Sequence, residues 1–234
     1  MTTRRRTRPG AHSRPRALVL IAALLAQVPA TAASLEASVT DADGLALEHA
    51  VVSLHGELPV KAPPGTHAIM DQRERRFAPT VVPIQTGTDV SFPNGDDVRH
   101  HVYSFSEPKT FQLKLYHGEA SEPVHFGEPG IVVLGCNIHD SMLGYLAVLD
   151  TPLFTKSAAS GKAVIESAPG GRYTLQVWHP DLGIRHLSRE IVLGEGVARI
   201  DVSLDADALS GAEGPAIAAA RPKEISPLQS LFDD

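Results

Sequence analysis

The sequence predicts an all-β protein. Short β-branched, aromatic or alternating runs recur at spacings of about eight to twelve residues. Gly, Pro, Asp and Asn separate them, and few stretches after Ser34 carry the apolar stripe of an amphipathic helix. Strands are expected at 35–40, 50–54, 81–84, 88–92, 101–105, 111–116, 131–136, 145–149, 163–166, 173–178, 189–193 and 198–204. So many short strands at regular spacing suit β-sandwich architecture.

The first element is a leader. Six arginines and no acid precede the apolar run Ala17–Val28, and small residues follow as Pro29–Ala33. A basic region, a short apolar region and a small-residue site make residues 1–33 a secretory signal peptide. The run is too short to span a bilayer comfortably, and no later run is long enough. Cleavage removes only positive charge, so the net −6 of the 234-residue chain becomes −12 in the mature protein. That balance excludes nucleic-acid binding, which needs clustered Lys and Arg. In a Gram-negative cell the mature chain is periplasmic, with no membrane span. Its one cysteine, Cys136, forms no internal disulfide or Cys-paired zinc finger. A lone thiol in an oxidising compartment is a liability unless something occupies it.

After the leader come two similar-looking segments. Val39–Gly44 with Ala50–Leu54, and Gly161–Glu166 with Pro169–Trp178, each read as strand, turn, strand. The second contains a PxGxY pattern, Pro169 to Tyr173, and both resemble carboxypeptidase-regulatory-like β-sandwiches. Residues 34–72 and 151–205 are therefore expected to form one flanking sandwich around a central domain, 73–150. Proline at 152 marks the junction. The Ala/Gly/Pro-rich stretch 206–234 reads as a disordered tail.

Chemistry concentrates in Gly130–Val148. Cys136, His139 and Met142 lie three residues apart between two expected strands, so one loop can wrap all three around a point. A thiolate, imidazoles and a weak thioether are the ligand set of a type 1 copper site. Zinc gains little from a thioether. A second imidazole is available upstream, where Asn94 is followed by a short loop and then His100 and His101.

These residues resemble a cupredoxin domain, with the C-x2-H-x2-M spacing of an amicyanin-type ligand loop. The combination of HHVYSFS, Lys109, CNIHDSMLGY and VWHP also resembles periplasmic proteins grouped under methylamine utilisation. The resemblance covers residues 77–150 most strongly and implies a Greek-key β-sandwich holding one copper ion. It carries Cys136, His139 and Met142 over as ligands. The upstream ligand is His100 or His101, and five residues between Asn94 and the histidine, the family spacing, favour His100. His101 stands where amicyanin and plastocyanins usually carry an asparagine that braces the ligand loop, a departure from the pattern.

Apolar Phe92, Val133, Leu134, Ile138 and Leu143 are expected to keep water from the metal. The remaining histidines, His55 and His186 among them, lack matched spacing and read as surface or packing residues. The expected function is a monomeric type 1 copper protein carrying single electrons, not an enzyme. Its acidic surface favours a basic redox partner such as a cytochrome or dehydrogenase. Two other classes remain open: a copper-binding or delivery protein without redox partners, and a metal-free β-sandwich binding module.

Overall fold

The first strand, β1 (Ala33–Asp41), shows how this sequence makes a sheet. Leu35, Ala37 and Val39 alternate with Glu36 and Ser38, and the apolar set is buried throughout. The computed structural model describes residues 33–58, 61–118 and 122–205. The expected tail, and the expected leader apart from Ala33, lie outside the described residues. The described residues are all-β, with one 3-10 turn among them at Pro180–Leu182. No helix among the described residues is long and apolar enough to cross a membrane.

The other strands are β2 (Val51–His55), β3 (His67–Ile69), β4 (Asp71–Arg73), β5 (Arg76–Ala78), β6 (Val81–Gln85) and β7 (Thr88–Ser91). Next come β8 (His100–Ser106), β9 (Lys109–Tyr116), β10 (Val124–Phe126), β11 (Gly130–Gly135) and β12 (Leu143–Leu149). The last are β13 (Phe154–Lys156), β14 (Lys162–Ala168), β15 (Gly171–Trp178), β16 (Leu187–Leu193) and β17 (Gly196–Leu204). All twelve expected strands are present. The additional β3, β4, β5, β10 and β13 are three residues each, too short to show a period-2 pattern.

Two sheets share one core. One has the order β14-β1-β17, with β1 and β17 parallel, and the other β13-β2-β15-β16. Leu35, Val39, Ile165 and Val202 from the first meet Val52, Leu54, Leu175 and Val177 from the second. The PxGxY pattern has a structural use here: buried Tyr173 donates its hydroxyl to the Pro169 carbonyl at 2.7 Å.

Gly161 makes a close approach in this half. Its φ is +76°, and a Cβ there would run into the Val39 carbonyl oxygen. Gly161→Ala therefore combines left-handed strain with a backbone clash and should cost about 1–3 kcal/mol. Thermal unfolding should show a Tm lower by roughly 2–12 °C. An unchanged Tm would contradict this close approach.

A second core lies between the five-stranded sheet β6-β12-β11-β8-β9 and the strands β10-β7-β3 with the β4–β5 hairpin. His67–Ile69, which the sequence groups with the flanking strands, pairs in parallel with β7. Met70 is buried in this central core. A third cluster joins the halves: Val51 and Trp178 pack with Val81, Ile131 and Ala147.

Strand β9 departs from simple alternation. His100 faces Tyr116 while Val102 faces Leu113, so β9 has one extra residue there. This bulge turns Leu115 outward, 52% exposed. Tyr116 takes the inner position, donates its hydroxyl to the Phe92 carbonyl at 2.6 Å and is hydrogen-bonded by Gln72. Burial pushes the Tyr116 phenol up to about 12, against an opposing pull from the Gln72 hydrogen bond.

Candidate metal centre

Alternation brings Cys136 inward. Val132 and Leu134 on β11 are fully buried, and Cys136, two residues further on the same face, is 3% exposed. β11 runs antiparallel to β8 with Gly135 opposite Tyr103, so Cys136 follows opposite Val102, one diagonal step from His100. Gly135 is needed for this approach, because a Cβ there would lie 2.7 Å from the Tyr103 ring.

The result is a tight cluster. Cys136 Sγ lies 3.7 Å from His100 Nδ1 and 3.9 Å from His139 Nδ1, and the two imidazole centroids are 5.0 Å apart. All three ligating atoms fall within 4.8 Å of one another. A divalent ion about 2.3 Å from sulfur and 2.0–2.1 Å from nitrogen sets those atoms about 3.6–3.8 Å apart at tetrahedral to trigonal angles. The two sulfur–nitrogen separations therefore suit a metal ion shared by the thiol and both imidazoles.

Met142 closes the loop, its N–H bonded to the His139 carbonyl at 2.9 Å. Its side chain is 1% exposed and belongs to the same buried cluster as Cys136. His100 is fully buried and His139 half-buried, so the cluster reaches solvent through the His139 edge. His101 is buried on the other face of β8, its Nε2 2.8 Å from Gln112 Nε2, and burial lowers its pKa.

Sequence reasoning misses Asp96. Its Oδ2 lies 2.6 Å from His100 Nε2, the nitrogen turned away from Cys136. The same carboxylate accepts the Glu74 N–H at 2.6 Å and the Arg75 N–H at 2.9 Å. Burial would raise the Asp96 carboxyl, but the hydrogen bonds from Arg75, His100 and Glu74 prevail and hold it below its ordinary value. Asn94 anchors the loop, its side-chain amide donating to Val98 and Tyr116 carbonyls at 2.9 Å each. No sequence signal marks Asp96 beyond its place four residues before His100.

The expected apolar shield needs correction. Phe92 and Leu134 are buried, but Val133, Ile138 and Leu143 are 37%, 47% and 49% exposed. Val133 sits on the outer face of β11 by the alternation that buries Leu134. Ile138 lies in the open loop, and Leu143 starts β12 facing out. Buried Phe77, Phe126 and Met70 belong to the core cluster instead.

No protein-family model and no curated protein matches the chain. Among solved structures it is similar to a copper-containing nitrite reductase from Thermus scotoductus SA-01, at 28% identity and TM-score 0.34, over 40% of this chain and 24% of that one. It is also similar to amicyanin from Paracoccus versutus, at 20% identity and TM-score 0.31, over 42% of this chain and 96% of that one. A pseudoazurin from Sinorhizobium meliloti matches at 19% identity and TM-score 0.28, over 37% of this chain and 76% of that one. The chain thus spans about a quarter of the nitrite reductase's length and nearly all of amicyanin's. At these TM-scores the likenesses carry no weight beyond the residues themselves.

Proposed function

We propose that this chain binds one copper ion, which His100, Cys136 and His139 would hold with Met142 as a weaker thioether ligand, and carries single electrons between periplasmic redox partners. The observation that carries this reading is the placement of two imidazole nitrogens about one buried thiol, at separations that suit a bound metal. Copper would supply a one-electron couple there. The chain's part is to hold the ligand atoms still. Asp96 engages His100 Nε2 and leaves Nδ1 toward the site, as outer-shell carboxylates do for ligating histidines. Two strands and a short loop fix Cys136 and His139. Half-exposed His139 offers the short path to a partner's redox centre. Within this reading, the copper domain runs from β3 to β12, since β3 pairs with β7 and Met70 lies in the central core, and β1, β2 and β13 to β17 brace it. Residues 1–33 direct export.

Adding Cu(II) to the mature protein should produce an intense visible thiolate-to-copper band and a matching paramagnetic spectrum. A colourless protein that takes up no copper would overturn the proposal. Tight Cu(I) binding with transfer to an acceptor, and no reversible voltammetric couple, would point to delivery instead.

Asp96→Asn should keep the fold but weaken copper binding by about 10–100-fold, measured by competition with a chromophoric chelator. Unchanged affinity would confine Asp96 to holding the Glu74–Arg75 turn.

A further inference from the structure

Away from the thiol cluster, a second group of polar side chains lines a cavity between the two cores. β2 puts Val52 and Leu54 into the flanking core, so Val51, Ser53 and His55 share its other face. That face looks onto β11 and β12 across a cavity of about 600 Å³. Ser53 is 2% exposed, and its Oγ lies 2.8 Å from His55 Nε2. His55 Nδ1 lies 2.7 Å from Asp150 Oδ1, contributed from 95 residues away. All three residues line the cavity.

The directions of these bonds follow from chemistry. A carboxylate only accepts, so the His55 proton sits on Nδ1, and Nε2 is left to accept from the Ser53 hydroxyl. This is the order of a nucleophile, its general base and an orienting carboxylate. Gln176 stands directly opposite Ser53 on β15 and lines the same cavity. The Ser53 backbone lies in the sheet interior between β13 and β15, so a side-chain amide such as that of Gln176 is the available oxyanion donor. Ile131, Ala147 and Leu149 supply an apolar wall. Glu107, Glu128 and Asp150 make the charged lining acidic, with no Lys or Arg among the lining residues.

We propose that Ser53, His55 and Asp150 form a hydrolytic triad acting on esters of short apolar acyl groups with neutral or cationic alcohols. As the Ser53 Oγ–carbon bond forms, the hydroxyl proton moves to His55 Nε2. The carbon–oxygen bond to the alcohol then breaks, and the alcohol leaves with that proton. Water adds to the acyl-serine, giving its proton to His55. The acid departs as the proton returns to Ser53. The net reaction is ester plus water to acid plus alcohol, with no oxidant or metal required.

The test uses the full mature chain, with p-nitrophenyl butyrate as substrate and a fluorophosphonate as covalent probe. The probe should add once, with peptide mapping placing it on Ser53, and His55→Gln should slow both labelling and hydrolysis by about 10²–10⁴-fold. Ser53→Ala should abolish labelling. Because that variant alters a buried strand, the wild-type adduct map decides the matter if it does not fold. A folded wild-type chain left unlabelled at Ser53, or labelled there at the same rate in His55→Gln, would show that the three residues only tie β2 to the β12 end.

Discussion

Cys136→Ala is expected to abolish the visible band of the copper-loaded chain. It should also weaken copper binding by more than the roughly 10–100-fold that follows loss of an outer hydrogen-bond partner. The band belongs to the thiolate, so two imidazoles left behind cannot restore it. The apo fold should survive. Cys136 is a small residue at the end of β11, and the Val132 and Leu134 side chains that anchor the strand remain. Truncating one sulfur from a buried site costs about 1 kcal/mol, far less than loss of a large core side chain. Circular dichroism and Tm of the metal-free variant should therefore stay close to those of the parent. Copper bound with parental affinity and colour in Cys136→Ala would place the metal elsewhere.

The readable part of the centre lay in local spacing. Cys136, His139 and Met142 sit in one seven-residue stretch, and the five residues after Asn94 favoured His100. The structure brings His100, Cys136 and His139 within contact and buries Met142 in the same cluster. What spacing could not show depends on how the chain returns. Asp96 meets His100 only because its loop is tied to the Glu74–Arg75 turn, more than twenty residues earlier in the chain. Asp150 meets His55 across the junction of the two halves. His55 therefore read as a packing residue.

The misread faces share a different cause. A one-residue bulge reverses the phase of every side chain beyond it. Unbroken alternation from Phe111 would turn Leu115 inward and Tyr116 outward; the extra residue in β9 near His100 does the reverse. Ile138 was misjudged because a loop has no periodicity to assign its side. Hydrophobicity alone does not place a residue against a metal.

Trp178→Ala should produce the largest loss of stability without touching the thiol cluster. Trp178 is 5% exposed, packs at a 59° tilt with its ring centroid 5.8 Å from that of Tyr145, and donates its indole N–H to the Gly183 carbonyl at 2.7 Å. It is the large member of the cluster joining the halves, whose other members are Val51, Val81, Ile131 and Ala147. Its truncation should cost about 3–5 kcal/mol, lowering Tm by roughly 6–20 °C. Polar bonds cross the junction as well: Lys156 Nζ donates to the Val81 carbonyl at 2.9 Å, His55 Nδ1 lies 2.7 Å from Asp150 Oδ1, and Thr151 Oγ1 donates to the Leu54 carbonyl at 2.6 Å. With the indole gone, the two separate cores should melt in two steps where the parent melts in one. Trp178→Phe, which keeps a ring against Tyr145, should retain a single transition at an intermediate Tm. Trp178 is the only tryptophan in the chain, so parental fluorescence reports on this junction directly. The copper band of Trp178→Ala should be unchanged below its first transition, because His100 lies on β8 and Cys136 and His139 between β11 and β12, all within the central sheet and its loop. A band lost together with the junction would mean that the flanking strands hold the metal loop in shape.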